Sequence, residues 1–231
     1  MTSCNQKILE QLRGGLIVSC QALKSEPLYS SYIMGRMAFA AFEGGAVGIR
    51  ANTPEDIAEI KKTVELPVIG LYKVDYPDSG IYITPTMQEV DALVAAGPEI
   101  IAMDATDRLR PEGKPLSDFF REVRAKYPDQ LFMADTASFE EGRLAQELGF
   151  DLVGTTMSGY TPATEGTSLP NYELMERYVK ELDIPVVAEG GIWYPEQLKQ
   201  AMDLGVWTAV VGTAITRPRD ITKRFTAAIR P

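Results

Sequence analysis

The sequence predicts an α/β fold, a single (β/α)8 TIM barrel over residues 1–231 with a short N-terminal helix. Three observations predict it. Short apolar runs rich in Val and Ile alternate with amphipathic stretches of helical length, and the unit recurs about every 25 to 30 residues. The runs are apolar throughout rather than alternating in polarity, as strands covered on both faces are. The first run ends in Val18-Ser19-Cys20-Gln21 with no G-x-G-x-x-G after it, so an open sheet built around a dinucleotide lacks its phosphate loop.

In chain order the strands are expected at 15–20, 46–51, 67–73, 99–106, 131–137, 150–157, 185–191 and 207–214, eight in all. The second is followed by Thr53 as a helix cap, Pro54 in the first turn, and Ile57, Ile60 and Val64 spaced for one buried face. Similar helix starts stand at Thr84-Pro85-Thr86, Ser138-Phe139-Glu140-Glu141 and Tyr194-Pro195-Glu196. Gly97, Gly149 and Gly205 fall where a left-handed cap turns a helix into the next strand. No stretch has the composition of a linker.

Composition narrows the chemistry. With 231 residues, 45% hydrophobic and 24% charged, the chain can bury one sizeable core. Its 23 Lys and Arg against 32 Asp and Glu leave a net charge of −9, so no polybasic surface exists for nucleic acid. The count of 0 His removes the usual neutral-pH base, the commonest zinc ligand and the centre of nucleophilic triads. Cys4 and Cys20 are too few for a zinc cluster or a disulfide framework, and a reducing cytoplasm fits them. Asn5, Gln6, Glu10 and Arg13 interrupt any signal-peptide core, and no apolar run reaches membrane-spanning length.

In a barrel, catalytic groups sit at the C-terminal ends of the strands. Gln21, Arg50, Lys73, Asp104, Asp135, Thr155, Thr156 and Glu189 interrupt the apolar runs there. An ammonium at Lys73, turned inward, would be desolvated and its pKa lowered toward that of a working base or Schiff-base former. Spacing equally fits a lysine snorkelling at a strand end. Glu189, before Gly190-Gly191, needs a partner. Facing Lys73 across the mouth it would form a proton-transfer pair, or else a buried structural ion pair. Arg50 and Asp135 read as substrate-orienting charges or as an ion pair closing the rim. Asp104 reads as a loop cap. The turns at Gly190-Gly191 and Gly212-Thr213, with Arg217 beyond, stand where barrels bind phosphate, although tight turns also use glycine. The segment from Gly154 to Pro162, with Thr156 and Ser158, is a hydroxyl-rich wall against a polyhydroxylated ligand or a surface loop.

Together, Leu16 to Gln21, Gly48-Ile49-Arg50-Ala51, Ile83-Thr84-Pro85-Thr86-Met87, Gly154 to Pro162, Ala188-Glu189-Gly190 and Val211 to Pro218 resemble the N-acetylmannosamine-6-phosphate 2-epimerases over nearly the whole chain. The resemblance implies a barrel interconverting N-acetylmannosamine 6-phosphate and N-acetylglucosamine 6-phosphate in sialic acid catabolism, with no metal and no nucleotide cofactor. It makes Lys73 the catalytic lysine and Glu189 its acidic partner. It also makes Gln21, Arg50 and Asp135 substrate contacts, and Arg217 with the Gly191 and Gly212 turns the phosphate site; by their own chemistry and position Thr156 and Ser158 are added as expected substrate contacts, and Gly190 and Thr213 to the expected phosphate turns. It implies a homodimer, with Ile221, Phe225 and Ile229 as an interface or as the packing face of the last helix. Two residues depart from the family pattern: Val74, where a second basic residue often follows the lysine, and Gly191, where many members carry a larger polar residue.

The implied reaction is proton removal at C2 of the open-chain sugar, where the C1 aldehyde spreads charge into an enolate. Two other readings use the same residues. A Schiff-base aldolase also needs a strand-end lysine and a phosphate site, and a non-catalytic phosphosugar sensor would use the charges for binding alone. Ribulose-phosphate 3-epimerases share the phosphate geometry, but their histidines have no counterpart here.

Overall fold

A computed structural model describes residues 2–229; Met1, Arg230 and Pro231, the ends of the expected domain span, lie outside them. Eight parallel strands close on themselves in sequence order, each paired with its neighbours and β8 with β1. They are β1 (Leu16–Cys20), β2 (Gly48–Asn52), β3 (Val68–Leu71), β4 (Ile100–Asp104), β5 (Leu131–Asp135), β6 (Leu152–Gly154), β7 (Val186–Glu189) and β8 (Thr208–Val211). Helix α1 (Ser3–Leu12) precedes the barrel. Outside it lie α2 (Ser31–Glu43), α3 (Pro54–Thr63), α4 (Met87–Ala96), α5 (Leu116–Lys126), α6 (Phe139–Leu148), α7 (Tyr172–Glu181) and α8 (Pro195–Asp203). After β8 come a one-turn helix, α9 (Thr213–Thr216), and α10 (Pro218–Ala227).

The helix starts follow from their caps. Thr53, Thr86 and Ser138 accept backbone N–H bonds through their hydroxyls, and Glu89 and Glu141 complete capping boxes at the last two. Gly97 and Gly149 end α4 and α6 at φ 73° and 91°, a conformation in which a Cβ is strained.

Strand parity decides what the barrel encloses. Ile17, Ile69, Leu71, Ile100, Ala102, Leu131, Met133, Leu152, Val187 and Val210 meet inside it, and Leu9 and Leu12 of α1 join them as a plug. The outward residues pack under the helices, for example Val18, Ile49, Val68 and Phe132. Both strand faces are thus buried, which is why the runs are apolar without alternation. Three inward rows continue into a charged residue: Asp135 two residues beyond Met133, Glu189 beyond Val187, Lys73 beyond Leu71.

The strands are shorter than their apolar runs. β3 stops at Leu71, not at residue 73, because the chain turns into an antiparallel excursion. Val74 N–H donates to Tyr82 O at 3.0 Å, Thr84 N–H to Tyr72 O at 2.8 Å, and Lys73 bridges Ile83. Helix α10 buries none of its residues; Phe225 within it is 75% exposed, and Ile229, past its end, 83%. It is therefore not packed on the barrel through that apolar face.

Candidate active site

A cavity of about 1310 Å³ opens at the C-terminal end of the barrel. Among its walls are Gln21, Arg50, Lys73, Thr156, Glu189, and the glycine turns described below.

Arg50 is the hub. Its two terminal nitrogens donate to both oxygens of Asp135 at 3.0 and 2.6 Å, and Nη1 also donates to Glu189 Oε2 at 2.6 Å. Burial opposes the guanidinium's charge, but Asp135 and Glu189 outweigh it and hold the group more firmly protonated than usual. Thr156 Oγ1 lies within hydrogen-bonding distance of Asp135 Oδ1 (2.7 Å) and Glu189 Oε2 (3.1 Å), so one hydroxyl spans both acids. Asp135 is fully buried and does not itself line the cavity; it acts there through Arg50 and Thr156.

Two groups titrate unusually. Burial pushes the Glu189 carboxyl up to about 7, against the pull of Arg50, while neighbouring Asp135 pushes the same way as burial. Lys73 is brought down to about 8, chiefly by desolvation and then by the positive fields of Arg50 and Arg217, with Glu189 and Asp135 opposing. A base and an acid with pKa values near neutrality thus share one cavity, without a histidine. The expected direct Lys73–Glu189 pair is not formed: the acid's ion-pair partner is Arg50, and among the described residues no carboxylate lies within 4.0 Å of the lysine amine. Arg50, which also holds Asp135, takes the carboxylate instead, and Lys73 stands past the end of its strand.

Gly190, Gly191, Gly212, Thr213 and Arg217 form one corner of the same cavity. Gly190 and Gly191 have φ of 107° and 72°, and a Cβ on Gly191 would fall 2.3 Å from Leu169 Cβ. That contact gives the glycine at this position a physical reason. Arg217 is held by Glu26 of the β1–α2 loop, at 3.2 Å from both Nε and Nη2, and its Nη1 reaches Thr213 Oγ1 at 3.4 Å. Arg219 and the Leu23 N–H share that carboxylate.

Some expected contacts fall elsewhere. Ser158 is fully buried away from the cavity, where its hydroxyl accepts a bond from Asn171 Nδ2 at 2.9 Å; it belongs to the loop's own structure. Thr155 ties Glu189's backbone to β6 by two hydrogen bonds. Asp104 caps its loop, accepting the Thr106 N–H at 3.0 Å and pairing with Arg108. Gln21 lines the cavity, with Nε2 on Ser19 Oγ at 2.9 Å and Oε1 without a partner. Asn52 in the cavity wall and Glu26 behind Arg217 were not singled out from sequence. Asn52 was discoverable as the next inward position after Arg50, whereas no pattern marks Glu26. No group of three or more His, Cys, Asp or Glu placed to share a metal ion occurs among the described residues.

Residues 34–231 match the family described as "Putative N-acetylmannosamine-6-phosphate epimerase", NanE. The chain belongs to this family. An Enterobacter sp. (strain 638) protein named as a putative N-acetylmannosamine-6-phosphate 2-epimerase is 54% identical over 224 residues, covering 96% of this chain and 95% of that protein. A namesake from Caldanaerobacter subterraneus subsp. tengcongensis is 51% identical over 223 residues, covering 96% and 94%. The solved structure of the N-acetylmannosamine-6-phosphate 2-epimerase from Clostridium perfringens superposes with a TM-score of 0.92 at 54% identity over 96% of each chain. A thiamine phosphate pyrophosphorylase from Pyrococcus furiosus, 21% identical with a TM-score of 0.62, shares the barrel alone.

Proposed function

We propose that this chain interconverts N-acetylmannosamine 6-phosphate and N-acetylglucosamine 6-phosphate by removing and returning a proton at C2. The observation that carries the reading is the pairing, in one cavity, of an amine lowered to about 8 with a carboxyl raised to about 7. A C2 hydrogen next to an open-chain aldehyde is acidic enough for such a base, because the electrons released spread onto the C1 oxygen. Near pH 7 roughly a tenth of Lys73 is neutral and about half of Glu189 is protonated, so both proton acceptor and donor are populated. Lys73 takes the proton, Glu189 adjusts the charge state of the site, and reprotonation on the opposite face gives the epimer. Arg50, held by Asp135 and Glu189, lends fixed positive charge to the developing enolate.

In this reading Gln21 and Thr156, both in the cavity wall, contact sugar hydroxyls. Arg217, Thr213 and the turns at Gly190, Gly191 and Gly212 are placed to take the phosphate through side-chain and backbone donors. The exposed Phe225 and Ile229 support a homodimer, testable by light scattering after size-exclusion chromatography. The free thiols Cys4 and Cys20 suit a reducing cytoplasm, and no helix of the described residues is long and apolar enough to cross a membrane.

The test is NMR of N-acetylmannosamine 6-phosphate incubated with the protein in heavy water. N-acetylglucosamine 6-phosphate carrying deuterium at C2 is expected; product without label at C2 overturns the proton-transfer reading. Borohydride separates the aldolase, which would be trapped covalently on Lys73. Tight binding without C2 exchange would mark a sensor.

A further inference from the structure

Asn52 is the last residue of β2, two positions beyond Arg50 and so on the same inward row. It is 4% exposed and lines the cavity together with Arg50 and Lys73. Its Oδ1 accepts the backbone N–H of Lys73 at 2.9 Å, beyond the end of β3, where that N–H has no strand partner. A backbone N–H only donates, so the amide's orientation is fixed: oxygen on Lys73, nitrogen turned away from it. Among the described residues Nδ2 has no acceptor within hydrogen-bonding distance. It is also absent from the buried, unpartnered polar atoms, which are Gln21 Oε1, Arg50 Nε and Arg110 Nε. It therefore opens onto the cavity.

We propose that Asn52 Nδ2 is the donor that recognises the acylamino substituent of the substrate. The inference rests on the epimerase reading, since that reading puts C2 at the lysine. Whatever stands beside the base then stands beside the substituent on C2, here an amide whose carbonyl oxygen is a neutral acceptor. The terminal nitrogens of Arg50 are committed to Asp135 and Glu189, those two side chains are acceptors when ionised, and Arg217 belongs to the phosphate corner. An uncharged, oriented donor next to Lys73 suits a carbonyl, and a sugar with a hydroxyl at C2 has no such carbonyl to offer it. Asn52 thereby does two jobs with one side chain: its oxygen fixes the main chain of the base and its nitrogen selects the substrate.

The two jobs separate by substitution. Asn52→Asp keeps an oxygen for the Lys73 N–H and loses the donor, whereas Asn52→Ala loses both. Calorimetric titration of the wild type and both variants with N-acetylglucosamine 6-phosphate and with glucose 6-phosphate reads the effect. Using the ratio of the two affinities cancels any change in phosphate attraction caused by the new carboxylate. The preference of the wild type for the acylamino sugar should shrink ~3- to 10-fold in both variants, the yield of one neutral hydrogen bond. An unchanged preference in Asn52→Asp overturns the assignment, and that variant decides alone if Asn52→Ala does not fold. Failure of the epimerase reading would look different: the wild type would leave the C2 hydrogen of N-acetylmannosamine 6-phosphate unexchanged in heavy water.

Discussion

Replacing Lys73 by Met should make the protein both inactive and more stable, because the feature that makes the amine a base also strains the fold. The lysine's pKa falls from 10.5 to about 8 in the folded chain. At ~1.4 kcal/mol per pH unit, holding the charged amine there costs at most ~3 kcal/mol. Solvent entering through the cavity mouth screens part of that, so ~1–3 kcal/mol is the expected gain for Lys73→Met at pH 7. For a chain of this size the midpoint should rise by ~2–10 °C. The sign with pH follows from proton counting. Between about 8 and 10.5 the unfolded chain holds a proton on this lysine that the folded chain has released, so wild-type stability climbs with pH across that window. The advantage of the variant should therefore be full below pH 8 and fade toward pH 10.5. Thermal unfolding followed by circular dichroism at pH 7, 9 and 10.5 measures it, beside a turnover assay expected to drop ~10²- to 10⁴-fold. A variant no more stable than wild type at pH 7, or an advantage that persists unchanged at pH 10.5, refutes the claim that Lys73 is held against its charge; near-normal turnover refutes its role as base.

Three further outcomes follow from the same site. Arg50→Met leaves two buried carboxylates without their cation; urea titration should give a loss of ~3–5 kcal/mol at pH 8, and a smaller one at pH 5, where Glu189 takes up a proton. The pH dependence of kcat/KM should rise to about 7, level off and fall beyond about 8, as joint properties of the Lys73 and Glu189 pair; Glu189→Gln should lack the alkaline fall, and a variant that retains it would deny Glu189 the acid's role. Arg217→Met should raise KM ~10-fold or more with little change in kcat, since a charge-assisted bond to phosphate is made before and during reaction alike.

The barrel could be read from the chain because each unit states the same thing twice, once in an apolar run and once in a capped helix. The mouth could be read only in part. Polar interruptions located Arg50, Lys73, Asp135 and Glu189, yet pairing depends on which rows face each other across the barrel, and that is a property of closure rather than of spacing. Lys73 looked like a strand residue because Val68 to Tyr72 is apolar to its end; the turn toward Ile83 is fixed by Thr84 and Asn52, both remote from that run. Ser158 followed two threonines and shared their chemistry on paper, but its partner Asn171 comes from the far side of the loop. Counting on by two from Arg50 would have found Asn52.

The carboxylate of Glu26, clasped by Arg217 and Arg219, already offsets part of the positive charge at the corner proposed to take the phosphate. On that proposal, entry is a competition between two anions, in which a dianionic ester can rival the glutamate while a neutral sugar offers nothing in return. Discrimination against unphosphorylated sugars would then be set at the threshold by ionic competition, ahead of any question of shape.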